Sequence, residues 1–365
     1  HYSDKGSSAA LTTVYAAILR RSGEPDKAKA LLEKVVAGPP SGDLVRAQLE
    51  LARLDRDMGD LRGARSAYAD ASKSGSFDAR FESGLLAIDD RDPAGGRDTL
   101  DLLVKEAGDH PPPDLLLEAA RARALVGDHA GAKVLLDQAE KLPATPTWKL
   151  ERERGRLALR QGQFSEAVAA FTKALDSSGG DAETFLLAAD AAGTEEKGTL
   201  ADKIRKLVNE RLKGRPEAKI VEGKLLIAAG KAAEAETAYK AAKEALKAEK
   251  ATPRRLAQAD YGLAYVAYSN QNTADAQNDF ELVNNEDPSI ADAYLFAADL
   301  AKDKKKAYAL AQNAVKFNPD SPSGWLVVGK LAAQVHDKKM LADAIGRLQT
   351  IAPGGDELEE LQTLR

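Results

Sequence analysis

The chain has no cysteine, only 2 methionines and 2 tryptophans, and aromatic residues fill just 5% of its 365 positions. Without thiols there is no disulfide framework, no thiol nucleophile and no cysteine-rich zinc site. Few aromatics beside 30% charged residues, with abundant Ala, Leu, Lys and Glu, argue against a β-rich fold and for helices packed through small side chains. No apolar run approaches the roughly eighteen residues a membrane helix needs, so no membrane span is expected. A dominant charge sign is missing too: 52 basic against 57 acidic residues leave −5. That balance provides no global drive toward nucleic acid or anionic lipid. The chain opens at His1 without an initiator methionine or signal peptide, which reads as a mature or excised piece with a disordered lead-in over residues 1–8.

Catalytic signatures are also absent. G-x-x-x-x-G-K-[ST], G-x-G-x-x-G, H-E-x-x-H and G-x-S-x-G do not occur. The four histidines, His1, His110, His129 and His336, are scattered over the terminus, a linker and turns, where solvent exposure explains them better than metal binding. The expectation is a non-catalytic protein with no metal and no cofactor.

What is present is a repeat. From Trp148 to Gly180, residues Phe164, Ala167, Val168, Phe171, Ala174 and Leu175 form one apolar helical face. A preceding helix carries Gly155 and Ala158, and Gly162 lets the two fold back as an antiparallel hairpin. A small residue at unit position 8, glycine near 15, alanine at 20, an aromatic at 24 and alanine at 27 (here Gly155, Gly162, Ala167, Phe171 and Ala174) resemble the tetratricopeptide repeat. The pattern recurs at a fixed period, which gives it weight. Units beginning at Ala9 and Val45 supply Ala16, Gly23, Ala28 and Leu32, then Ala52, Gly59, Ala64, Tyr68 and Ala71. Units near Phe77, Pro113, Pro216, Ala257, Ala291 and Pro322 follow; in the Phe77 copy Arg91 replaces the turn glycine. The stretch from Ala182 to Arg215 is the least regular.

The reading is therefore all-α: an α-solenoid of about ten tandem helix-turn-helix repeats in which stacking buries the face each hairpin leaves open. It divides into an array over 9–180, a divergent repeat or joint over 181–216, a second array over 217–353 and a capping or truncated helix over 354–365. The resemblance implies a right-handed superhelix whose concave face is built mainly by the first helix of each pair, with positions 2, 5, 9 and 12 pointing inward. On that register Arg20, Arg53, Arg56, Arg121, Lys149, Arg152, Arg156 and Arg160 line the first half. Tyr261, Tyr265 and Tyr268 line the second.

Guanidinium forks on such a face suit carboxylates, hence an acidic peptide or a free C-terminal carboxylate. Equally, the arginines have local partners to hand in Glu50, Glu118, Glu151 and Glu153. The tyrosines fit either a partner contact or packing between helix pairs. A basic helix from Lys203 to Lys219 is interspersed with Asp202, Glu210 and Glu217 and lacks interleaved aromatics, so it is a solvated face rather than a nucleic-acid site. Two functions fit: a module binding a partner protein or peptide in its groove, or a scaffold subunit of a bacterial secretion, pilus or polysaccharide-export machine working through outer and end surfaces. The alanine-rich, cysteine-free composition leans toward a bacterial, exported protein rather than a cytoplasmic one.

Overall fold

A computed structural model describes residues 8–38, 42–90, 92–195 and 198–364. Pro40, Arg91, Glu196, Lys197 and most of the lead-in therefore lie outside the described residues. Within them the chain is entirely helical, with 21 α-helices and no strand. It forms two compact units that divide at Pro111–Pro112.

The first unit contains three antiparallel pairs: α1 (Ala9–Arg21) with α2 (Pro25–Val36), α3 (Leu44–Asp57) with α4 (Leu61–Ser72), and α5 (Phe77–Asp89) with α6 (Pro93–Ala107). The second contains seven: α7 (Pro113–Leu125) and α8 (His129–Glu140), α9 (Thr147–Arg160) and α10 (Phe164–Ser177), α11 (Ala182–Ala192) and α12 (Thr199–Arg211), α13 (Pro216–Ala228) and α14 (Ala232–Ala248), α15 (Pro253–Ser269) and α16 (Thr273–Glu286), α17 (Ala291–Leu300) and α18 (Lys304–Phe317), and α19 (Pro322–Gln334) and α20 (Lys338–Ile351). A last helix, α21 (Asp356–Gln362), follows. Ten pairs match the solenoid read from the sequence. Among the described residues no helix is long and apolar enough to cross a membrane.

Most pairs lock through one small and one large side chain. A Cβ built on Gly155 would stand 2.7 Å from the Phe171 ring, and one on Gly223 the same distance from Tyr239. In other pairs Ala16 faces the cluster of Leu32, and Ala52 that of Tyr68, with all four at 1% exposure or less. The large residue then reaches the next pair, so clusters run without interruption from Ala158 and Phe171 through Phe185 and Leu200 to Val221. At the C-terminal end α21 buries Leu358 and Leu361 against α19 and α20, and Lys330 pairs with Glu360 at 2.5 Å. On α1 the stripe Leu11, Val14 and Ile18 is exposed.

Helix starts are fixed by side-chain caps. Asp60, Asp128 and Asp337 accept bonds from the amides of Gly63, Gly131 and Met340 at 2.8–3.0 Å, satisfying donors that the helix itself leaves open.

In seven pairs the turn between the helices carries a left-handed residue at unit position 15. Gly23, Gly59, Gly127, Gly162 and Gly230 adopt it with φ from 67° to 82°. Two pairs have no glycine there, yet Gln271 (φ 61°) and His336 (φ 62°) take the same conformation. The packing of the pair dictates the turn, and an exposed side chain bears the steric cost. Gln271→Gly and His336→Gly should each stabilise by about 0.5–1 kcal/mol, as read from urea unfolding. Gly155→Val, which drives a methyl into the Phe171 ring, should destabilise by about 1–3 kcal/mol in the same measurement.

Candidate functional site

Every arginine singled out by the register has a partner. In the first unit Arg20 bonds Asp57 at 2.5 Å and lies 3.5 Å from Glu50. Arg53 bridges Glu50 at 2.6 Å and Glu82 through a two-pronged contact, and Tyr68 donates to the same Glu82 at 2.8 Å. Hydrogen bonding to Glu82 holds the Arg53 guanidinium well above its ordinary value despite partial burial. Arg56 is 3.9 Å from Asp57 and is the loosest of the three.

In the second unit the side chains of successive first helices converge. Arg121 on α7 contacts Glu118 at 3.2 Å, and Lys149 at the start of α9 reaches Asp114 at 2.9 Å. Lys149 and Arg152 lie over the Trp148 ring, 5.8 and 5.5 Å from its centroid, where the ring quadrupole favours a cation. Arg152 is buried, with Glu153 at 2.8 Å, Glu183 at 2.9 Å and Asp181 at 3.4 Å. Arg156 spans Glu153 (2.9 Å) and Glu183 (2.6 Å). Burial pushes the Glu183 carboxyl up, but Arg156, Arg152 and Arg121 outweigh it and hold the group at about 2. Further along, Asp190 on α11 pairs with Lys224 on α13 at 2.6 Å. Asp292 on α17 is exposed by area, yet desolvation raises its carboxyl, and it feels Asp190, Lys224 and Arg160. Asp292 thus shares its surroundings with charged groups of α9, α11 and α13.

Arg160 differs from its neighbours. It donates to Asn318 Oδ1 at 2.9 Å and to the Phe317 carbonyl at 2.7 Å, groups 158 and 157 residues further along the chain. His129 Nε2 stands 3.0 Å from Asp320, so it is a half-buried contact residue and not the exposed turn residue expected from sequence. Arg347 on α20 donates to the Pro319 carbonyl at 3.2 Å and lies 3.4 Å from Asp320. The segment Phe317–Asp320 is thus clasped by α8, α9 and α20, and the pairs α7–α10 meet α18–α20 across a seam. The site beside it is a cavity of about 570 Å³. Burial pulls the Arg160 guanidinium down to about 10, with Asp320 opposing that shift.

The three tyrosines of α15 are half-buried and belong to an aromatic cluster. Tyr261 tilts against Phe280 (centroids 6.0 Å apart), Tyr265 against Phe296 (5.6 Å), and Tyr268 against both while donating to Asp299 at 2.9 Å. Burial drives the Tyr261 hydroxyl well above its usual range. Each ring packs between pairs and is also partly exposed. Among the described residues no three acids or histidines are placed to hold a metal ion.

Residues 49–111 and 152–197 match the family model for the tetratricopeptide repeat. Those two stretches are tetratricopeptide repeats. No curated protein matches the chain. Among solved structures, a tetratricopeptide repeat protein from Parabacteroides merdae is 15% identical with a TM-score of 0.53, covering 70% of this chain and 99% of that one. A chain from the APC/C hetero-tetramer Cut9–Hcn1 is 11% identical with a TM-score of 0.51, covering 98% and 84%. A structure described as a functional characterization of Pseudomonas aeruginosa pilF is 19% identical with a TM-score of 0.41, covering 60% and 98%. The likenesses at TM-scores above 0.5 show the fold; the tetratricopeptide repeats matched by the family model are protein-interaction or scaffold elements.

Glu183 gives this repeat protein a measurable acid limb. Its folded-state pKa of about 2 is below the ordinary 4.5, so the stability it lends is whole above pH 4.5 and disappears as pH falls toward 2. Glu183→Gln should lower stability at neutral pH and flatten the dependence between those limits, as measured by urea midpoints at a series of pH values.

Proposed function

We propose that the protein holds an extended, acidic segment of a partner protein along the inner face of the second unit, where α7, α9, α11, α13, α15 and α17 gather their side chains. The observation that carries this reading is Glu183: its half-exposed carboxylate lies between Arg152 and Arg156 and is bonded by both. It occupies the position a partner carboxylate would take, so the arginine forks are already arranged for one. Lys224, Asp292 and the partly exposed rings of Tyr261 and Tyr265 continue the surface with polar and aromatic contacts. Arg20, Arg53 and Arg56 belong to the first unit, where internal acids occupy them and set the spacing between helices. Non-catalytic binding is the role this face supports.

The alternative is a scaffold subunit of a bacterial envelope machine acting through outer and end surfaces; the cleft beside α12 favours keeping it in view. A photocrosslinking residue decides between the two. Placed at Asp292 it should capture a partner protein in native extract, whereas the same residue at Lys173, exposed on α10, should not. Capture at Lys173 alone would overturn the groove reading in favour of the scaffold.

A further inference from the structure

The pair α11–α12 departs from the others. On the register that carries Leu32, Tyr68, Leu136, Phe171 or Tyr239 in other pairs, α12 has Arg205, exposed and bonded to Asp202 at 2.8 Å, and its large buried residues are Leu200 and Ile204. α12 leans back toward the preceding pair. Lys203 donates to the Thr172 carbonyl and to Asp176, both at 2.6 Å, Arg211 donates to the Leu175 carbonyl, and Arg215 donates to the Gly180 carbonyl at 2.6 Å. Three cations thus hold α12 and its following turn to the C-terminal end of α10, where unpaired carbonyls and the helix dipole attract positive charge. α11 packs directly on α13, and α12 stands off from it.

The space left between α12, α13 and α14 is a cleft of about 750 Å³. Its floor is apolar: Val208, Val221 and Leu225 lie at its base, and Ala241 and Ala245 of α14 are exposed one turn apart on its wall. The rim carries Arg205, Lys213, Arg215 and Lys219 with the acid Glu222; Arg205 pairs with Asp202 at 2.8 Å, Arg215 lies 3.5 Å from Glu217, and Lys219 pairs with Glu222 at 2.7 Å. Lys213 has no ionic partner among the described residues. The volume accommodates about two turns of an α-helix, and paired alanines let such a helix approach closely.

We infer that this cleft docks an amphipathic helix of a partner protein, with leucine-type residues on its buried face and glutamate or aspartate along both flanks. The charge complementarity of the rim selects acidic flanks, and the alanine wall selects a helix over an extended strand. The cleft is separate from the inner face discussed above and does not rest on that reading.

The probes are two fluorescein-labelled 14-residue helical peptides with leucine at i, i+3, i+7 and i+10, one flanked by glutamate and the other by lysine. Fluorescence anisotropy with the full chain should show the glutamate peptide binding about tenfold more tightly, the worth of roughly three exposed ion pairs. Ala245→Trp, which fills the cleft from an exposed position, should abolish binding. Lys213→Glu, a surface change that leaves the core untouched, should weaken it and narrow the preference. Glu183→Gln should leave it unchanged, which separates this site from the inner face. Equal binding of the two peptides, absence of binding, or undiminished binding by either cleft variant would overturn the proposal.

Discussion

Most of the array depends on one steric interlock: a residue with almost no side chain on the first helix of a pair, opposite a ring or leucine on the second. Gly155 against Phe171 and Gly223 against Tyr239 leave no room for a Cβ. Gly262 on α15 meets Tyr239 from the other side, so one ring spaces both its own pair and the next. Because interiors are packed to crystal density, this contact fixes helix separation as well as attraction. Stability then accumulates as a sum of near-identical neighbour interfaces, and curvature follows from repeating the same offset.

Curvature brings a second consequence. Charged side chains that would be independent on a straight rod come under one another's influence on the inside of a coil. Arg160 senses Asp320 and Asp292, Asp292 senses Asp190 and Lys224, and Tyr261 senses both aspartates. Burying a guanidinium is costly unless its donors are filled. Arg152 and Arg156 fill theirs with carboxylates from the next first helix, which ties neighbouring pairs together. Arg160 fills its donors with an amide oxygen and a backbone carbonyl across the seam, which ties distant pairs together. The same residue type therefore serves as local brace and long-range clasp, according to what the coil presents to it.

That contrast marks how far the sequence could be read. The ten pairs, the small-to-large interlock and the glycine turns were legible because each is a short-range constraint repeated at a fixed period. The positions of Arg152, Arg156 and Tyr261 on the first helices were legible for the same reason. Their partners were less so: Glu183 and Glu82 come from the following repeat, and Asn318, Asp320 and Arg347 meet Arg160 and His129 only after the chain has coiled. No spacing rule relates residue 160 to residue 318. The left-handed Gln271 and His336 were also hidden, since their side chains give no sign of a conformation imposed by packing. The aspartate caps, by contrast, carried a signal that could have been found, an aspartate three residues before a glycine or methionine at the start of an apolar helix.

The irregular pair shows another way of holding a helix. α11 retains a small residue, Ala189, α12 leaves Arg205 on the surface, and its buried residues Leu200, Ile204 and Val208 join the cluster that runs from Phe171 to Leu225. α12 packs less closely on α13 than α11 does. Its basic residues, which in composition look like a solvated or nucleic-acid-binding face, are instead divided by geometry: Lys203, Arg211 and Arg215 reach back to carbonyls in and just after the last turns of α10, Lys219 pairs with Glu222, and Lys213 is left beside the opening. A set of cations reaching back to the end of the preceding pair therefore redirects a whole helix. It converts a buried interface into an open cleft, and it does so without interrupting the array, because α11 and α13 close the gap beneath it.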